Sequence, residues 1–119
     1  MKAVILFGHG SRDPAWRETM DAVALRIAAK MVPVRCAFLE LQQPDLASAA
    51  KELIAQDATH IAVVPMFLGM GRHAREDLPR LVDELRREHP GIQIELRPAV
   101  GENPRLLDLL AEISSGSED

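Results

Sequence analysis

Cysteine is nearly absent from this chain: Cys36 stands alone, so neither an internal disulfide nor a paired-cysteine metal site can form. That excludes a disulfide-stapled secreted scaffold and makes the cytoplasm the expected compartment. Aromatic residues are also scarce, at 3% of the chain, and the net charge is −4. A general nucleic-acid binder needs a basic face and stacking rings, and this composition offers neither. No apolar run approaches the roughly 18 residues of a membrane span, so no transmembrane segment is expected. The opening stretch from Met1 to Phe7 is interrupted by Gly8-His9-Gly10-Ser11-Arg12 before any export-type cleavage site, and reads as a buried strand.

What is present is an ordinary globular mixture, 47% hydrophobic and 27% charged, over 119 residues, enough for one domain but not two. The expected domain runs over residues 1–113, with 114–119 a polar tail of low order. Apolar runs without alternation at Ala3 to Phe7, Val32 to Leu39 (interrupted by Pro33 and Arg35) and Ile61 to Val64, with a more alternating run at Ile92 to Leu96, read as strands of a parallel sheet. Helical spacing separates them. Trp16, Met20, Val23, Ile27 and Met31 mark one stripe, Leu46, Ala50, Leu53 and Ile54 a second, and Leu78, Leu81, Val82 and Leu85 a third. A last helix is predicted from Asn103, its N-cap, to Ile113, with Pro104 at its first position.

Strand and helix therefore alternate four times, which predicts a single α/β domain. Its four-stranded parallel sheet, flanked by helices, takes the flavodoxin-like order 2-1-3-4. Ligands of such sheets bind beyond the carboxyl ends of the strands where the strand order reverses. The loops that matter are then Gly8 to Asp13 and Pro65 to Asp77.

Those loops carry the candidate chemistry. His9 follows the first strand between two glycines, which let the backbone turn sharply and leave the imidazole open. The other reading is a glycine-rich anion loop in which Ser11 and backbone N–H groups do the binding. His73 lies in the stretch from Pro65 to Pro79, read as a long loop too apolar to be disordered; the other reading is a surface histidine in the first turn of the third helix, with Met66, Phe67, Leu68 and Met70 covering the core. Glu40 closes the second strand, beside the first. Two imidazoles and a carboxylate suit transient handling of Co²⁺, Fe²⁺, Ni²⁺ or Zn²⁺, and neutral imidazole also takes up protons. Arg12, Arg72 and Arg75 flank the histidines and would gather an acidic ligand. Each is equally readable as an ordinary surface charge. His60, at the amino end of its strand, and His89, in a His-Pro-Gly stop, are expected to be structural or solvated.

Taken together, Gly8-His9-Gly10-Ser11-Arg12, Phe38-Leu39-Glu40 with Pro44, the Pro-x-Phe-Leu-x-x-Gly-x-His-x-x-x-Asp-x-Pro run from Pro65 to Pro79, and Arg97-Pro98-Ala99-Val100-Gly101 resemble the class II chelatases of CbiX type. The resemblance covers nearly the whole chain. It implies an α/β chelatase that inserts a divalent metal into the tetrapyrrole sirohydrochlorin, cobalt first, with iron and nickel as alternatives. The metal would be a substrate, with no tightly bound cofactor. The resemblance carries over His9 and His73 as the catalytic and metal-contacting pair and Glu40 as an acidic partner. Ser11, Arg12, Arg72 and Arg75 would meet the carboxylate rim, and Met66, Phe67, Leu68 and Met70 would form an apolar wall. It also implies a homodimer, because larger relatives contain two such halves. Two rivals stay open at this point: a non-catalytic metal or tetrapyrrole carrier, and a histidine-dependent phosphatase, against which stands Gly8 where that chemistry places an arginine.

Overall fold

The computed structural model describes residues 1–116. Strand β1 (Lys2–Gly8) is followed by a 3₁₀ turn (Pro14–Arg17) and α1 (Glu18–Ala28), then β2 (Val34–Phe38) and α2 (Leu46–Ala55). β3 (His60–Pro65), α3 (Arg72–Glu88) and β4 (Gln93–Leu96) come next. A second 3₁₀ turn (Val100–Glu102) leads into α4 (Pro104–Ser115). All pairings are parallel and the sheet order is β2-β1-β3-β4, as the alternation of strand and helix predicts.

Sheet burial follows the two-residue period of a strand. Ala3, Ile5 and Phe7 of β1 join Ala37, Ile61, Val63 and Ile94 on one face, against Leu46, Ala49, Ala50 and Leu53 of α2 and Leu78, Val82 and Leu85 of α3. Leu6, Cys36 and Phe38 face the other way, where Met20, Val23, Ala24 and Ile27 of α1 pack on them. Burial is the main force on the lone thiol and pushes the Cys36 pKa up to about 11, so it stays a protonated thiol at neutral pH.

Helix starts follow local chemistry. The Asp45 carboxylate accepts the Ser48 N–H at 2.9 Å to cap α2, and that bond holds its pKa below the usual carboxylate range. Asn103 caps α4 through the Arg105 N–H at 2.9 Å, with Pro104 in the first turn as expected.

Three expectations change. The first stripe is shorter than its periodicity suggests: Trp16 belongs to the 3₁₀ turn and is 67% exposed, while Met31 lies past the helix and is 90% exposed. The segment read as one loop to Pro79 is helix from Arg72 onward, and Pro79 stands inside α3, where its ring lacks the N–H that would bond to the Arg75 carbonyl. α4 continues to Ser115, beyond the predicted helix end at Ile113, and is closed by Gly116 in the left-handed conformation. Residues 117–119 of the expected tail lie outside the described residues. Among the described residues no helix is long and apolar enough to cross a membrane.

Candidate active site at the carboxyl edge of the sheet

The parallel ladder between β1 and β2 does not stop where the strands are assigned to end. Beyond the Gly8–Phe38 pair, the Leu39 N–H donates to the Gly8 carbonyl at 3.0 Å and the Glu40 N–H to the His9 carbonyl at 3.1 Å. These bonds set His9 and Glu40 side by side at the edge predicted for ligand binding. Gly10 makes the approach possible. Its φ is +99°, and a Cβ there would collide with the Glu40 carbonyl oxygen. The Ser11 N–H then donates to Gln42 Oε1 at 3.0 Å, and Ser11 Oγ accepts the Asp13 N–H at 3.1 Å, which fixes the loop from both sides.

The result is an imidazole and a carboxylate with Nε2 and Oε1 3.9 Å apart, both about half exposed. That separation is too long for a direct hydrogen bond, so both atoms remain available to a ligand. A cavity of about 430 Å³ opens beside His9, lined by Gly8, His9, Gly10, Ala15, Trp16, Thr19, Met20, Phe38, Met66 and Phe67; Glu40 is not part of its lining. Met66 is held at the mouth because its N–H donates to the Phe7 carbonyl at 2.8 Å, continuing the β1–β3 ladder. Phe67 is tied from the far side by the Gly101 N–H at 2.9 Å, and a Cβ on Gly101 would strike the Leu68 backbone.

The remaining candidates are arranged differently. His73 sits in the first turn of α3, 84% exposed, with Nε2 at 3.3 Å from Asp77 Oδ2 one turn on. Arg72 makes the parallel surface pair with Glu76 at 3.2 Å. Arg12 and Arg75 are exposed, as is Leu68, while Met70 is half-buried against the α2–α3 side of the core. Among the described residues no three His, Cys, Asp or Glu side chains are grouped so as to hold a metal ion. The structure thus brings His9 and Glu40 together and pairs His73 with Asp77 instead. His60 Nε2 lies within hydrogen-bond distance of Glu95 Oε1, 3.2 Å, at the amino end of β3, and His89 caps the end of α3, so both stay outside the site.

Sequence reasoning missed one side of the cavity. Trp16 and Met20 are four residues apart, which reads as a core stripe, yet the stripe overruns the sheet edge and its first member faces solvent. The available signal was Asp13-Pro14: a capping residue before a proline marks a new turn starting there, and the Asp13 side chain does accept the Ala15 N–H at 3.0 Å.

Comparison with known proteins places this geometry among relatives. The CbiX family model matches residues 3–115. A sirohydrochlorin cobaltochelatase of Saccharolobus solfataricus is 35% identical over 100 residues, covering 81% of this chain and 78% of the relative. The crystal structure of a chain described as a cobalamin (vitamin B12) biosynthesis CbiX protein, from Marinobacter aquaeolei VT8, aligns with a TM-score of 0.86 at 32% identity. That alignment covers 98% of this chain and 97% of the other. The sirohydrochlorin chelatase SirB of Bacillus subtilis subspecies spizizenii, solved in complex with cobalt, aligns with a TM-score of 0.80 at 27% identity. There the match takes in 97% of this chain but 50% of the longer one.

Proposed function

The chain belongs to the CbiX family, and from that premise we propose that it is a sirohydrochlorin cobaltochelatase, a lyase-class metal chelatase that places Co²⁺ in the macrocycle. The observation that carries the reading is the side-by-side placement of His9 and Glu40, 3.9 Å apart, with His9 lining an apolar cavity at the switch point of the sheet. Insertion of a divalent ion displaces two pyrrole N–H protons, so the site needs acceptors within reach of the ring nitrogens. A histidine and a carboxylate that do not satisfy each other supply two.

His73 completes the reading as the metal-contacting partner, on the loop and helix start that follow the neighbouring strand β3. A chelatase holds its metal only in passing, and a few open nitrogen and oxygen donors suit release better than a closed four-ligand cage. Ser11, Arg12, Arg72 and Arg75 are assigned to the carboxylate rim, and Met66, Phe67, Leu68 and Met70 to the apolar face of the ring. Cobalt, or iron or nickel in its place, enters as substrate, and the reading includes no tightly bound cofactor. The cytoplasm is the assigned compartment, in keeping with a lone buried thiol.

The working unit is assigned as a homodimer. A cavity of about 430 Å³ takes part of a tetrapyrrole, not the whole. α4 has no buried residue, and its stripe of Leu106, Leu109, Leu110 and Ile113 leaves Leu109 50% and Ile113 55% exposed, an apolar surface suited to a second copy. Leu109→Glu with Ile113→Glu is expected to give a monomer by sedimentation; an unchanged association state refutes this use of α4.

Anaerobic incubation with sirohydrochlorin and Co²⁺, Fe²⁺ or Ni²⁺ tests the activity. Multiple turnovers, fastest with cobalt, are expected. Stoichiometric uptake without turnover identifies a carrier, and failure with all three metals overturns the reading.

A further inference from the structure

We propose that Trp16, which no motif singles out, is the stacking platform on which the conjugated macrocycle lies while His9 and Glu40 work on its nitrogens. The proposal rests on the chelatase reading above and adds a substrate-positioning residue to it.

The chain has one tryptophan, and it is not spent on the core: Trp16 is 67% exposed, yet it lines the same cavity as His9. An indole left in water forgoes a large burial gain unless something covers it. Its backbone is not loose. The next residue, Arg17, donates from Nε to Asp21 Oδ2 at 3.0 Å, from Nη2 to Oδ1 at 3.1 Å and from Nη1 to the Gln43 carbonyl at 3.0 Å. Its guanidinium also lies 4.9 Å from the centroid of Phe38, on the cavity wall. The hydrogen bond it donates to Asp21 raises the Arg17 pKa, so the guanidinium stays charged. A short turn pinned to α1, to β2 and to the loop before α2 therefore presents an exposed indole at a cavity that His9 also lines. Such an indole suits a flat, conjugated ligand wider than the cavity itself.

Because Trp16 is the one indole, its N–H gives one cross-peak in a ¹⁵N-edited spectrum of the whole protein. Titration with metal-free sirohydrochlorin is expected to move that peak upfield, as the ring current of a stacked macrocycle requires; a peak that stays in place while the ligand binds overturns the proposal. In steady-state insertion, Trp16→Ala is expected to raise KM for the tetrapyrrole about tenfold, with kcat within about twofold, whereas Trp16→Phe stays near wild type. A folded Trp16→Ala variant with wild-type KM overturns the platform while leaving the chelatase reading intact. Loss of dimerisation in that variant with unchanged ligand affinity also overturns it. A wild-type protein that neither binds sirohydrochlorin nor inserts metal removes both readings.

Discussion

The two histidine-bearing segments meet the same edge of the sheet but are built in opposite ways. His9 is held by backbone: a ladder extended by two hydrogen bonds past β1 and β2, a glycine that alone tolerates its conformation, and a following loop bonded to Gln42. His73 is held by helix periodicity alone, with a side chain in solvent and one partner a turn away on its own helix. The first has a pre-organised backbone, which fixes where the His9 side chain leaves the sheet edge next to Glu40. The second leaves most of its side chain in solvent. A group that must remove a proton at a fixed point gains from the former design, and one that must collect an ion from solvent and deliver it gains from the latter.

The sharpest way to break that comparison is to remove each imidazole. His9→Ala is expected to lower kcat for metal insertion by about 10²–10⁴-fold, the usual cost of deleting a general base, with circular dichroism unchanged. His73→Ala is expected to abolish detectable insertion at low metal concentration and to recover partly as metal is raised. Equal, metal-independent losses in the two variants would erase the distinction drawn here between a fixed base and a mobile ligand.

Next in size is a contrast between glycines. Gly10→Ala forces a side chain into the left-handed region and onto the Glu40 carbonyl, so it should cost about 1–3 kcal/mol of stability and separate His9 from Glu40. Gly69→Ala, in the segment leading to His73, meets nothing within 4 Å and should change stability by less than about 0.5 kcal/mol. Denaturant titration of both proteins checks the pair; equal midpoints would mean that the β1–β2 corner is no more constrained than the approach to α3.

How much of this was legible in the sequence follows from the same contrast. The sheet order and the position of both candidate loops at its carboxyl edge could be read because strand burial and Gly-His-Gly are local signals with one cheap solution. The closeness of His9 to Glu40 was legible only as a possibility, since it depends on two inter-strand hydrogen bonds beyond the apolar run. The start of α3 was misread because Gly69, Gly71 and Pro79 all look like loop punctuation, while the burial of Ala74 and Leu78 outweighs them. Trp16 was misread because a four-residue spacing says which face a residue is on, not whether the sheet still extends beneath it.

Glu40→Gln keeps size and position and removes the charge. If Glu40 shares the proton work or steers the His9 ring, insertion should fall by about 10- to 100-fold, the range for partners that orient an essential histidine. A wild-type rate would reduce Glu40 to a solvated strand end and leave His9 without the partner that distinguishes its corner.

The smallest expected effect concerns the charges at the start of α3. Arg72 is 85% exposed and pairs with Glu76, itself 66% exposed, at 3.2 Å, so as a surface pair it contributes a few tenths of a kcal/mol at most. Arg72→Ala should then shift Tm by no more than about 2 °C. A structural pair would show nothing further. If the guanidinium also meets a substrate carboxylate, KM for the tetrapyrrole should rise about threefold in the variant, and the difference from wild type should shrink as salt screens the contact. An unchanged KM at low ionic strength would return Arg72 to the ordinary surface, and the mobile side of the site would then consist of His73 and the apolar residues before it.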